Sequence, residues 1–263
     1  HSHLRTIHHI EALRRMGIET TVVDGAESVY YSGILSAIVG GRIDASAAAI
    51  DVKSEVETRG GRFVADPVDR IDVAERRVLL RNGGSLSWDV LSCAVGSVDA
   101  HTIPTSEDAK PFVMSIKPIG EPLHILRPVV RASADGTGPV RLAIIGGGAT
   151  AVEAAGNIVA GARRIGGAAA KPEVVVYAGD ATLLPALPTA AGRIAEEHLR
   201  DAGIEVATRR RVTKIEGKRL VFHDGGSAPY DYALTCVGLV APPLFARSVR
   251  RDADVSASFH RSR

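Results

Sequence analysis

The sequence predicts an α/β fold in which parallel sheets are joined by crossover helices, repeated as two similar units. Three observations carry that prediction. Apolar, strand-like runs alternate with helical segments along most of the chain. A strand, a glycine turn and a helix follow one another in RLAIIGGGATAVEAAG, residues 141–156. A stretch beginning at Arg77 recurs beginning at Arg219, an offset of 142 residues.

The elements follow in order. HLRTIHHIEALRRMG sets Leu4, Ile7, Ile10 and Leu13 at helical spacing, with Gly17 as the C-terminal stop. IETTVVD (18–24) reads as a buried strand ending in an acid, and GAESVYYSGILSAIVGG as a loop leading into a short helix. DVKSEVETRGGRFV is a helix leading into a strand. RIDVAERRVLLRNGGSLSWDVLSCAVGS reads as strand, strand, a Gly-Gly turn and another strand. Past a proline-punctuated stretch (104–128) and the turn-rich ASADGTGPV, a new strand opens at RLAIIG. A glycine turn comes next, then a helix to about Arg164, the strand EVVVYA and a helix over 189–202. The strand IEVA, a hairpin around 213–227 and the strand YDYALTCVG complete the series.

Composition bounds the class. A chain of 263 residues forms one large domain or two of ordinary size. Charge is nearly balanced at +2, with 24% charged residues spread along the chain, which argues against a nucleic-acid binder acting through a basic field. Aromatics stand at 4%, too few for base-stacking platforms. The two cysteines, Cys93 and Cys236, form neither a disulfide framework nor a local dithiol, and they point to a reducing cytoplasm. No apolar run reaches the roughly 18 residues of a membrane-spanning helix. The start has no hydrophobic leader and no initiator Met, so the sequence reads as a fragment.

The repeat organises the rest. RVLLRNGGSLSWD aligns with RLVFHDGGSAPYD: Arg77 meets Arg219, Gly83–Gly84–Ser85 meet Gly225–Gly226–Ser227, and Trp88–Asp89 meet Tyr230–Asp231. Further on, Gly96 meets Gly238. Two similar hairpins sharing turn chemistry are one reading. Two copies of one architecture are the other, and they require a counterpart of the glycine turn ahead of the first hairpin.

In the second copy, the pattern G-x-G-x-x-A falls on Gly146, Gly148 and Ala151. Gly146 permits the tight turn, Gly148 lets a pyrophosphate approach the backbone, and Ala151 allows close helix–strand packing. Gly147, Ala149 and Thr150 complete the turn, where free N–H groups face the phosphates. An acid at the end of the next strand would take the ribose hydroxyls. Ala178 occupies that place and Asp180 follows two residues later, either reaching the ribose or capping a turn. No basic residue lies there for a 2′-phosphate, which favours NAD over NADP by a small margin. RRR at 209–211 reads as a solvated face. In the first copy, Asp24 ends its strand at the ribose-binding position, but the preceding helix begins at the first residues, with no glycine turn before it. The expectation is that the first glycine turn lies upstream of His1; a single decorated unit is the alternative. His1, His3, His8 and His9 include no pair three or four apart and have no nearby Cys, so no metal site is expected.

The order of these motifs resembles the pyridine nucleotide-disulfide oxidoreductase-like flavoproteins with two dinucleotide domains. Within that group it resembles type II NADH dehydrogenases, in particular the NADH-dehydrogenase-like flavoproteins associated with selenophosphate synthase. HSHL looks like the end of their G-G-G-H-x-H start, VYYSGIL like their loop near the flavin, and SIKPI (115–119) like their V-K-P-I segment. WDVLSCAVGS and YDYALTCVGL look like the strands at the domain crossings. GGGATAVEAA and the following LLPALP match the nucleotide turn and its sequel.

The resemblance implies two Rossmann-like domains of the FAD/NAD(P)-binding fold: an FAD domain over 1–124, an inserted NAD(P) domain over 125–240, and the start of a return to the FAD domain over 241–263. It implies FAD and NAD(P)H as cofactors, with Asp24 at the FAD ribose, Ser32 and Gly33 beside the flavin, and Gly96 and Gly238 at the crossings. Glu153 would lie near the nicotinamide–flavin interface, and Lys117 would stabilise charge on the reduced flavin. The implied reaction is hydride transfer from NAD(P)H to FAD, with electrons passed to a small-molecule acceptor such as a quinone and no nucleic-acid partner. A further C-terminal region would bring peripheral contact with the inner face of the plasma membrane. A non-catalytic nucleotide-binding module is one alternative. A sulfide:quinone-type enzyme is another, though that chemistry needs well-placed cysteines.

Overall fold

A computed structural model describes residues 2–34, 37, 38, 40, 42–100, 103–117, 140–167 and 172–248. In chain order the elements are α1 (Ser2–His8), α2 (Ile10–Arg15), β1 (Thr21–Asp24), β2 (Ser28–Tyr30), β3 (Ala49–Asp51), α3 (Val52–Glu57), β4 (Arg62–Ala65), β5 (Val68–Asp72), β6 (Arg77–Leu80) and β7 (Ser85–Ser87). They continue with β8 (Val98–Asp99), β9 (Val113–Ser115), β10 (Arg141–Ile145), α4 (Ala149–Gly166), β11 (Glu173–Tyr177) and α5 (Thr189–Asp201). The last are β12 (Glu205–Ala207), β13 (Val212–Glu216), β14 (Arg219–Phe222), β15 (Ser227–Pro229), β16 (Tyr232–Thr235), β17 (Leu239–Val240) and α6 (Leu244–Ser248).

Two compact units share these elements. One contains His1–Glu27, Val52–Gly96 and Ala241–Arg263; the other contains Ser28–Asp51 and Ser97–Val240. The domain boundary expected at 124/125 lies outside the described residues, as do residues 249–263.

In the first unit, β1 and β4 pair in parallel from Thr21↔Arg62 to Asp24↔Ala65. The helix expected over Leu4–Leu13 breaks at His9. The His9 ring Nδ1 sits 2.7 Å from the Arg5 carbonyl, the acceptor its own backbone N–H would use in a helix. That N–H turns instead to Thr6 O at 3.0 Å, one residue closer. Gly17 stands at φ +80° as the expected stop. Ile7, Ile10 and Val56 are buried, and a Cβ on Gly61 would lie 2.9 Å from Val56 Cγ1 and 3.0 Å from Ile10 Cδ1, so a larger residue there would push those side chains aside.

The two hairpins repeat with the register the sequence implies. Arg77↔Ser87, Val78↔Leu86 and Leu79↔Ser85 in the first match Arg219↔Pro229, Leu220↔Ala228 and Val221↔Ser227 in the second. Hydrogen bonds outside the ladders repeat too. Trp88 N–H donates to Arg76 O at 3.0 Å, and Tyr230 N–H to Lys218 O at 3.1 Å. Both hairpins also carry a bulge at the equivalent place, between Val68 and Arg70 and between Val212 and Lys214.

Beyond the hairpins the copies diverge. Tyr232–Thr235 form β16 because β10 and β9 flank them. Residues 90–95 at the matching positions are irregular, against the expectation of a strand, and Val90 is 89% exposed. Among the described residues β1 pairs with β4 alone, so the first unit has no counterpart of β10 to hold this segment. A strand without a ladder leaves its N–H and C=O groups to water, and the segment stays open.

The second unit is built on a five-stranded sheet in the order β12-β11-β10-β16-β9, every pair parallel. Its central strands are apolar on both faces, as a covered parallel sheet requires. Leu142, Ile144, Val174 and Val176 pack on one face beneath α4, whose Ala151, Ala155, Ile158 and Ala162 are fully buried. Ala143, Ile145, Val175 and Tyr177 pack on the other face against Val212, Ile215, Leu220, Phe222 and Tyr230. β2 and β3 form an antiparallel pair where a loop was expected. β8 pairs with β17 where the chain enters and leaves the unit.

Candidate functional site

In an open parallel sheet, ligands sit at the carboxyl ends of the strands. In the second unit that edge carries the turn after β10. Gly146 sits at φ +138°, with its N–H on Tyr177 O at 2.9 Å. A Cβ there would stand 2.3 Å from the Cys236 carbonyl oxygen, so the end of β16 closes over a residue that must lack a side chain. Gly147 is also confined: a Cβ would meet Ala178 Cβ at 2.9 Å, and its carbonyl accepts Leu184 N–H at 2.7 Å.

Gly148 differs. It has φ −79°, it is exposed, and a Cβ would meet nothing within 4 Å. The packing of the fold does not need glycine there. Gly148 caps α4 without a side chain, Ala149 and Thr150 are exposed, and Ala151 is fully buried against the sheet. Ala151 N–H donates to Gly148 O at 3.1 Å, so Ala149 and Thr150 are the residues that meet solvent at the positive end of the helix. These residues fit a dinucleotide pyrophosphate.

Around the turn, the expected residues divide between the units. Glu153 is exposed on α4 one turn from its start, and its backbone carbonyl accepts the Asn157 amide at 2.9 Å. Lys117 is half-buried past the end of β9, at the same carboxyl edge, with its N–H on Ser115 Oγ at 2.9 Å. Ser115 in turn donates to Asp99 on β8, tying the entering strand to the sheet edge. The second oxygen of Asp99 is buried without a partner among the described residues. Gly238, at φ +98°, accepts Ala100 N–H at 2.9 Å. Gly33 is exposed in a single 3-10 turn, and Ser32 precedes it. Asp24 and Gly96 belong to the first unit. Asp24 is half-buried at the end of β1 and accepts Ala26 N–H on Oδ1 at 3.0 Å.

The cysteines stand in different units. Cys93 is exposed, whereas Cys236 is buried, and its thiol is pushed up to about 12, first by burial and then by the negative charge of Asp99. Such a sulfur stays protonated at neutral pH and is a poor nucleophile.

The stretch 178–184 holds no base, and a turn distant in sequence is folded beside it. β12 lies beside β11 in parallel, so the turn after it, 208–211, reaches the same edge. Arg210 N–H donates to Ala178 O at 2.8 Å and Arg209 N–H to Asp180 O at 2.9 Å. Arg209 and Arg211, exposed as a solvated face would be, line a pocket of about 200 Å³ with Gly179. The signal for this neighbour was present in the sequence: three arginines follow the strand IEVA, which pairs with β11.

Comparison with known proteins places the chain. Residues 7–256 match the family described as pyridine nucleotide-disulphide oxidoreductase. The chain belongs to that family.

Solved structures share the fold. One is the ferredoxin reductase of the CYP199A2 system from Rhodopseudomonas palustris, at 20% identity and a TM-score of 0.71, covering 91% of this chain and 58% of that one. Another is NDH2 from Plasmodium falciparum in complex with NADH, at 15% identity and 0.72, covering 88% and 52%. A third is the sulfide:quinone oxidoreductase of Aquifex aeolicus, at 15% identity and 0.71, covering 92% and 58%. The chain thus spans about half the length of these proteins. Among the described residues, no helix is long and apolar enough to cross a membrane.

Proposed function

We propose that this chain is the nucleotide-binding part of an FAD-dependent NAD(P)H oxidoreductase that passes hydride from NAD(P)H to FAD and electrons onward to a quinone. One observation carries the reading. The turn Gly146–Ala151 sits at the carboxyl end of the central strand β10, with an open Gly148 that the fold itself does not require.

The chain's own residues do the following. The α4 N–H groups hold the dinucleotide pyrophosphate, and Asp180 lies at the adenosine ribose. Glu153 faces the nicotinamide end, and Lys117 offers a positive charge at the same edge of the sheet. Asp24 would hold the ribose of FAD, Ser32 and Gly33 would contact its ring, and Gly96 and Gly238 would allow close backbone approach to a cofactor. FAD, when bound, supplies the group that takes hydride and releases electrons. The names of the neighbours NDH2 and sulfide:quinone oxidoreductase support a quinone as acceptor. The buried, protonated Cys236 speaks against sulfide chemistry at that sulfur. A quinone acceptor would also suit contact with the inner face of the plasma membrane from a cytoplasmic location.

The test is anaerobic reduction of flavin-loaded protein. NADH or NADPH should bleach the flavin absorbance, and a soluble quinone should restore it. Bound flavin that neither nucleotide bleaches would overturn the proposal, and so would protein that binds no nucleotide.

A further inference from the structure

We infer that the nucleotide is 2′-phosphorylated, NADPH rather than NADH, and that Arg209 and Arg211 are the residues that select it. This rests on the proposed dinucleotide site and adds the identity of its ligand.

The geometry begins at the end of β11. In this fold the residues just past the second strand meet the adenosine ribose, and an acid there takes the two free hydroxyls while an arginine nearby accommodates a 2′-phosphate. Here β11 ends at Tyr177, and the turn Ala178–Gly179–Asp180 carries no basic side chain of its own. The turn after β12 is folded onto it by backbone bonds: Ala178 N–H to Ala207 O at 2.9 Å, Arg210 N–H to Ala178 O at 2.8 Å, and Arg209 N–H to Asp180 O at 2.9 Å. The guanidinium of Arg211 lies over Gly179, where a Cβ would stand 3.3 Å from its Nε. Glycine at 179 clears the space that this side chain crosses.

The three arginines do not share one fate. Arg210 pairs with Asp224 and lies over the Phe222 ring, 5.4 Å from its centroid, so its charge is already matched. Arg209 and Arg211 line the pocket with Gly179, Phe222, His223 and Asp224, and neither has an anionic partner among the described residues. The one carboxylate in the pocket wall is the one engaged by Arg210. Arg209 also holds φ +56°, a left-handed conformation that a side chain rarely adopts and that gathers at ligand sites. Two unmatched guanidinium groups therefore stand beside the ribose position. A phosphate monoester carries close to two negative charges at neutral pH and takes forked N–H donors well. Asp180 is a single exposed carboxylate in the same turn, so the two arginines outweigh its charge.

The experiment is calorimetric binding of NADP⁺, NAD⁺, 2′,5′-ADP, 5′-AMP and inorganic phosphate to the purified chain. Variants are Arg211→Ala and Arg209→Gly, the second suited to the left-handed backbone so that folding is kept. NADP⁺ should bind at least about 10-fold tighter than NAD⁺, and 2′,5′-ADP tighter than 5′-AMP by a similar factor. Each variant should weaken NADP⁺ by about 10-fold and leave NAD⁺ within about 2-fold. Equal or tighter binding of NAD⁺ overturns the inference, as does NADP⁺ binding that neither variant changes. Phosphate binding without discrimination between the dinucleotides overturns it too. Failure of both dinucleotides to bind would instead sink the proposed function.

Discussion

Replacing Gly146 by alanine should cost a large part of the stability of the second unit. Two separate terms contribute. Gly146 holds φ +138°, where a residue with a Cβ is strained by about 1–3 kcal/mol. The added methyl would also stand 2.3 Å from the Cys236 carbonyl oxygen and 2.9 Å from its carbon. Those neighbours are backbone at the end of β16, which is fixed by Cys236 N–H on Ile145 O at 2.7 Å, so they yield only by moving a strand. Overpacking of that kind adds about 1–3 kcal/mol, for a total of about 4 kcal/mol out of the ~5–15 kcal/mol typical of a domain. Urea denaturation followed by far-UV circular dichroism reads it, as a fall in midpoint at unchanged slope. A loss under about 1 kcal/mol would refute the close approach of β16 to this turn.

Further outcomes follow from the same packing. Ile158 is fully buried between α4 and the sheet, and Ile158→Ala should cost about 2–5 kcal/mol by the same denaturation assay. Cys236 is raised from an ordinary 9.0 to about 12, so its folded form holds a proton that the unfolded chain releases earlier. The stability it contributes is complete below pH 9 and is lost as pH climbs toward about 12, by a few kcal/mol. Cys236→Ala should flatten that alkaline fall, and in native wild-type protein a thiol reagent should label the exposed Cys93 alone. Glu153→Gln, on an exposed helix position, should leave stability within about 0.5 kcal/mol but slow flavin reduction by NAD(P)H in a stopped-flow trace.

Much of this was legible in the residues. The turn at 146–151 announces itself because its strand is apolar on both faces and its helix begins with alanines small enough to lie close. The repeat was legible because hairpin turns fix register locally, so Gly83–Gly84 and Gly225–Gly226 carry the same ladders. What stayed hidden depends on neighbours distant in sequence. Residues 90–95 resemble their repeat counterparts at 232–237, yet composition cannot supply the ladder that makes a strand. The break at His9 arises from one side chain competing for one carbonyl, which helical periodicity does not record. Arg209 and Arg211 read as solvated charge and are exposed, but their place beside the turn after β11 was hidden because they lie some 30 residues beyond that strand. Only the parallel placement of β12 beside β11 brings them to it.

The central claim is that the turn after β10 is a dinucleotide cradle whose glycine at 148 serves the ligand and not the fold. Equilibrium binding of NADPH and NADH to wild-type protein and to Gly148→Ala tests it most directly, with urea denaturation run alongside. A Cβ at 148 meets nothing within 4 Å, so the variant should keep its stability to within about 1 kcal/mol, the scale of an N-cap change. Its affinity for the nucleotide should fall at least about 10-fold, because the methyl occupies the path of the pyrophosphate. A variant equally stable and equally able to bind would contradict the account.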